Sequence, residues 1–133
     1  MPNDLHYDVI VLGAGVAGLS LASELSPYLK VLVLERETHL PIRKFWLTNH
    51  KSVELNPELR PFIDSNYTQM DIIAYDLSAF RCHGSFYLWD TRKLTEYFVN
   101  KINGAGGKIM FDCTFYSYQN SHHGDLPPKN WSS

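Results

Sequence analysis

Tyr7-Asp8-Val9-Ile10-Val11-Leu12-Gly13-Ala14-Gly15-Val16-Ala17-Gly18 is the stretch that decides the fold of this chain. Residues 7–12 are β-branched and nearly continuously apolar, which is how a parallel strand buried on both faces reads. Three glycines in G-x-G-x-x-G spacing follow at once. Leu19, Ala22 and Leu25, with Leu21 beside them, then lay out a helical stripe that ends before Pro27. Lys30-Val31-Leu32-Val33-Leu34-Glu35 is a second buried strand, closed by an acid. Strand, glycine turn, helix and strand follow one another in about thirty residues, as a crossover between parallel strands requires.

Glycines cluster in many loops, so the spacing alone says little. Here it lies between a buried strand and a helix, and Glu35 ends the next strand seventeen positions after Gly18. That context makes it a dinucleotide-binding fingerprint. Gly13 permits the tight turn out of the strand, Gly15 lets a pyrophosphate approach the backbone, and Gly18 lets the helix pack on the sheet. The free N–H groups around Gly15, Val16, Ala17 and Gly18, with the positive end of the helix dipole, meet phosphate charge; Ala14 completes the turn. Glu35 accepts hydrogen bonds from ribose hydroxyls and repels a 2′-phosphate, which disfavours NADP.

Outward from this unit the pattern weakens. Residues 36–60 read as a long irregular connection punctuated by Pro41 and Pro57, with five basic residues against three acidic ones. Residues 71–77 and 85–89 have strand composition, and the stretch between them, with His83-Gly84, reads as a hairpin connection. Asp90 or Thr91 offers an N-cap. Leu94, Tyr97, Phe98, Lys101 and Ile102 then fall on one face of an amphipathic helix, which ends at Asn103-Gly104. Residues 108–115 read as a third parallel strand. Residues 1–116 thus form one α/β domain, and residues 117–133 a polar tail expected to be disordered.

Composition narrows the function classes. The 133 residues are 44% hydrophobic, 14% aromatic and 20% charged, with a formal net charge of −2. That is a folded globular chain with no basic footprint for nucleic acid and no polybasic membrane anchor. No apolar run is long enough to span a bilayer. Cys82 and Cys113 lie far apart and outside any metal-ligand spacing, so the expectation is two thiols in a reducing, cytoplasmic compartment and no metal site. His122, His123 and Asp125 offer at most a loose surface chelate. Cys82 and His83 are adjacent, so a strand sends them to opposite faces and they make no catalytic pair. Phe45-Trp46 and Tyr87-Leu88-Trp89 read as packing clusters. No residue presents itself as acid, base or nucleophile, so the catalytic residues are unknown.

With these residues in view, the chain resembles the N-terminal part of an FAD-dependent oxidoreductase. The similar group includes aromatic-ring hydroxylases, geranylgeranyl reductases and flavin-dependent halogenases. The likeness is dense over residues 8–22 and Val31-Leu-Val-Leu-Glu-Arg36, and looser through residues 88–94 and 104–107. It implies a Rossmann-like FAD-binding fold with a parallel sheet, here incomplete, and an inserted β-hairpin. It implies FAD as cofactor and a small-molecule substrate. It also implies that Arg36 flanks the adenosine, that Arg43 (with Lys44 as neighbour) lies near the cofactor phosphates, that Arg92 lies beside the flavin or its phosphates, and that residues 113–115 lie near the adenine. The bland alternative for Arg36, Arg43, Lys44 and Arg92 is that each is a solvated surface charge.

Members of that group carry a second flavin motif far downstream. Gly124-Asp125, in a polar stretch with no apolar helix after it, does not qualify. A sheet ordered around strand 1 with only three parallel strands leaves one side of that strand as an open apolar edge, so a further domain or partner chain is expected to complete it. Two alternatives stay open: an NAD-binding dehydrogenase unit, and a nucleotide-binding product without turnover. The long insertion between the second and third parallel strands suits flavoproteins better than a regular βαβαβ half.

Overall fold

A computed structural model describes residues 6–42 and 45–119. Strand β1 (Val9–Leu12), helix α1 (Val16–Leu25) and strand β2 (Val31–Leu34) form the expected crossover between parallel strands. After an inserted region, helix α3 (Thr91–Gly104) leads into a strand over Lys108–Met110. This last strand, β6, pairs parallel with β2, giving the order β1-β2-β6. Strand 1 therefore lies at an edge, as its sequence neighbours predict.

The register shows how the sheet packs. Val9 and Val31 share one face, as do Val11, Val33 and Ile109. That face carries α1 and α3, and Leu19, Ala22, Leu94, Phe98 and Ile102 close on it to form the core. Ile10 and Leu12 point the other way and are about half exposed, at 54% and 53%. The expectation that β1 is buried on both faces is thus corrected. Only one face of β1 has a helical layer over it, although the Val-Ile-Val-Leu sequence is apolar enough for two.

The inserted region holds more structure than its sequence shows. The stretch read as irregular contains β3 (Leu47–Asn49), α2 (Lys51–Leu55) and a 3-10 helix over Pro57–Phe62. These elements are too short to show a periodicity. Strands β4 (Ile63–Ile73) and β5 (Ala79–Trp89) make a long antiparallel hairpin, which β3 extends to the order β3-β5-β4. The hairpin turn is at residues 74–78, closed by the Leu77 N–H on the Ala74 carbonyl at 3.0 Å. His83 lies inside β5 opposite Gln69, so the connection expected around His83-Gly84 is misplaced.

Two further expectations are settled by local geometry. Asp90 is the N-cap of α3, its carboxylate accepting from the Lys93 N–H at 3.1 Å. The third parallel strand stops at Met110 rather than running to Phe115, because the chain bends and Asp112 adopts φ +54°. From there to residue 119 the chain has no regular structure, and residues 120–133 of the expected tail lie outside the described residues.

Candidate nucleotide-binding site

The site is built where β1 and β2 end. Gly13 takes φ +96°, a left-handed conformation that only glycine adopts cheaply, and its N–H donates to the Leu34 carbonyl at 2.8 Å. The turn is thereby tied to the end of the neighbouring strand. The Ala14 N–H then donates to Glu35 Oε2 at 2.7 Å. Gly15 follows as the N-cap of α1 in extended conformation, with no side chain capping the helix and no acid in its first turn. The orphan amides of that turn are available to a ligand.

The glycines divide their work. A side-chain carbon at Gly15 meets no atom within 4 Å, so the space beside it is an open cleft. At Gly18 the same carbon collides with the Gly13 carbonyl and comes within 3.3 Å of Val11 Cγ1. Gly18 is therefore what lets α1 lie against β1. Gly13 shapes the turn, Gly15 leaves room, and Gly18 permits packing.

Glu35 is only 5% exposed, yet it carries a carboxylate. Its Oε1 accepts from the Glu37 N–H at 3.0 Å while Oε2 holds Ala14. Burial works to raise the carboxyl's pKa. The backbone N–H groups of Glu37, Ala14 and Arg36 and the Arg36 charge together outweigh it, leaving the group below the ordinary glutamate range. The acid is thus ionised and held in place at the cleft wall, with lone pairs left over for a further donor.

The cleft has a volume of about 970 Å³. Gly13, Gly15, Val16, Ala17, Glu35 and Arg36 all line it. The structure brings these six expected residues together, and Ala14 touches the cleft through Glu35. Arg36 is a highly exposed side chain, with Nε 3.4 Å from Glu37 Oε1. Arg92 is not brought to this cleft. It lies in the exposed first turn of α3 and lines a separate cavity with Asp64, Leu88 and Asp90. Arg43 and Lys44 lie outside the described residues.

Several lining residues carried no site signal in the sequence. Glu37, His39, Pro41, Phe45 and Trp46 reach the cleft from the connection after β2. Phe45 is 63% exposed, which fits a cleft wall better than the packing cluster expected of it. Cys113, Thr114 and Phe115, which the resemblance put near an adenine, also line the cleft. Their strand continuation is tied down by the Cys113 N–H on the Glu35 carbonyl at 2.9 Å. Among the described residues no cluster of His, Cys, Asp or Glu could hold a metal ion, and His122, His123 and Asp125 lie outside them.

Comparison with known proteins places this geometry. A family model described as lycopene cyclase protein matches residues 8–123. A search of curated sequences finds no match. Among solved structures, a geranylgeranyl bacteriochlorophyll reductase-like protein from Thermoplasma acidophilum aligns with TM-score 0.62 at 18% identity, over 86% of this chain and 32% of its own. Aklavinone-11 hydroxylase, solved in a ternary complex with FAD and aklavinone, aligns with TM-score 0.56 at 23% identity over 83% and 26%. The flavin-dependent monooxygenase PieE, solved with FAD and substrate, aligns with TM-score 0.61 at 18% identity over 91% and 26%. At these identities the likeness establishes the fold, which is the Rossmann-like fold of FAD-dependent oxidoreductases. The chain spans about a quarter to a third of the length of these proteins.

Proposed function

This chain belongs to the lycopene cyclase protein family, and on that footing we propose that it is the FAD-binding portion of a flavin-dependent oxidoreductase. One observation carries the reading. A buried, ionised Glu35 is fixed by the Ala14 and Glu37 amides beside an open cleft at Gly15. An ADP group fits this arrangement. Its pyrophosphate takes the uncapped amides at residues 15–18, and its ribose hydroxyls donate to the Glu35 carboxylate. The Arg36 guanidinium stands at the adenosine side of the cleft. Cys113, Thr114 and Phe115 offer backbone groups and an aromatic ring to the adenine. Arg43 remains a proposed phosphate contact, and Arg92 a proposed contact of a longer ligand that reaches the second cavity.

Bound flavin supplies the electron chemistry. The residues here bind and orient it, and Glu35 holds its negative charge against any 2′-phosphate. For the whole enzyme, the family description points to cyclisation of a lycopene-type substrate, whereas the solved relatives are named for hydroxylation and reduction. The described residues contain no acid, base or nucleophile placed to decide between these. Two free thiols, Cys82 and Cys113, support a reducing cytoplasmic compartment. The near-neutral charge speaks against a nucleic-acid partner. Among the described residues no helix is long and apolar enough to cross a membrane. A further domain or partner chain completes the open edge at β1.

Parallel titrations with FAD and NAD test this reading. FAD is expected to bind with quenching of its fluorescence and NAD more weakly. Preferential NAD binding supports the dehydrogenase alternative, and binding of neither ligand overturns the proposal.

A further inference from the structure

Phe45 and Trp46 line the nucleotide cleft and also a second cavity of about 390 Å³ that α1, α3 and the inserted region enclose. The two residues therefore form a partition between the spaces. Trp46 packs on the core over part of its surface and meets open space over the rest. A side chain so placed draws less of its position from packing and more from how its backbone is held. Phe45 and Trp46 lead directly into β3, an edge strand of three residues whose Leu47 is about half exposed. Little apolar burial holds this segment down.

Trp89 holds it by hydrogen bonds instead. This residue ends β5 and is buried in the core. Its backbone N–H donates to the Trp46 carbonyl at 3.0 Å, and its indole N–H donates to the Thr48 hydroxyl at 2.8 Å. One buried residue thus grips the segment at two points. The second grip is passed on. Ser52 gives its single hydroxyl proton to the Asn49 carbonyl at 2.8 Å, so Thr48 is the donor in the 2.7 Å bond between the two hydroxyls. Trp89, Thr48, Ser52 and the Asn49 carbonyl form one directed chain in which each proton is used once. The chain ties β5, β3 and α2 together, and the buried Val53 anchors α2 in the core.

The phosphate turn is held by different bonds. The Gly13 N–H is on the Leu34 carbonyl and the Ala14 N–H is on Glu35. Neither passes through Trp89 or Thr48. The cleft therefore has two separately supported parts, the turn with Glu35 and the Phe45–Trp46 wall.

We propose that Thr48 is a positioning residue for ligand binding, a role that rests on FAD as the ligand of the cleft. Thr48 touches no nucleotide in this account. Its hydroxyl joins Trp89 to Ser52 and so fixes the Phe45–Trp46 wall before FAD arrives. A wall fixed in advance spares the ligand the entropy of ordering it, which raises affinity without adding a contact.

FAD titration of the intact chain, with the indole and backbone N–H resonances followed together, tests the proposal. In wild type, FAD is expected to move both the Gly13–Gly18 amides and the Trp46 indole resonance. Thr48→Val keeps the shape and loses the hydroxyl; it is expected to weaken FAD roughly five- to ten-fold, whereas Thr48→Ser stays within about two-fold of wild type. In Thr48→Val the turn amides still move at saturating FAD, while the Trp46 indole resonance broadens and the Trp89 indole proton exchanges faster. General destabilisation does not separate the two sets of signals in this way. If Thr48→Val does not fold, Ser52→Ala leaves the Trp89 bond in place and removes its support, and it is expected to weaken FAD about three-fold. Wild-type protein that binds no FAD removes the ligand and this role with it. Wild-type binding with unchanged affinity in the folded variant overturns the role of Thr48 alone. So does a loss that Thr48→Ser fails to restore, or one in which the turn amides and the Trp46 indole lose their response together.

Discussion

Gly15 and Gly18 stand three positions apart and do opposite things. At Gly15 the backbone is extended, φ −72°, and the space beyond it is empty. Gly15→Val is therefore expected to leave the melting temperature within about 2 °C of wild type while abolishing nucleotide binding, because the new side chain fills the phosphate space. Gly18→Val forces a side chain into the Gly13 carbonyl and is expected to cost about 2–4 kcal/mol, read from denaturant unfolding. A large loss of stability in the Gly15 variant contradicts this division of labour. Glu35 carries a pH signature. Its folded pKa lies below the unfolded value of about 4.3, so its contribution to stability is complete above that value and is lost as pH falls through the lower folded one. Glu35→Gln is expected to flatten the stability–pH curve in that acid window.

Among the elements, α3 is the one whose limits were plainest in the sequence. Its apolar spacing, its Asp90 cap and its end near Gly104 are all borne out. Asp90→Ala is expected to cost about 1 kcal/mol, seen as a shift of the denaturation midpoint with unchanged slope. The inserted region was less legible for physical reasons. β3 has three residues and α2 five, lengths at which tertiary pairing outweighs any local pattern. The hairpin turn was missed because it uses Asp76 and Leu77, and Leu77 at positive φ gives no turn signal in sequence. Gly84 gave a false one, since it lies next to a register shift within β5. The glycine turn and Glu35 were legible because backbone geometry and charge restrict which residues fit there. Phe45, Trp46 and the residue 113–115 wall reach the cleft through tertiary folding, which leaves no local mark.

At the scale of the molecule, the parallel sheet is covered by helices on one face and open along β1. The layered core lies between that sheet and α1 with α3. The long hairpin is attached at its root and otherwise exposed. Stability is expected to follow this gradient. Backbone amides of β2, which is paired on both sides, should exchange with solvent slowest, and among the strands those of the distal hairpin, residues 70–73 and 79–82, fastest. Uniform protection in hydrogen exchange contradicts that picture of a stable nucleotide-binding core with a loosely held arm. The open edge and the half-exposed Ile10 and Leu12 are where a further domain or partner chain is proposed to pack.

The central claim is a contact between a diphosphate-linked nucleotide and the turn at residues 13–18, with a ribose on Glu35. Titrating FAD into isotopically labelled protein and following backbone amide resonances tests it most directly. The account predicts saturable shifts concentrated at Gly13–Gly18, Glu35–Glu37 and Cys113–Phe115, and their disappearance in Gly15→Val. Saturable shifts elsewhere, with the glycine turn unmoved, contradict it.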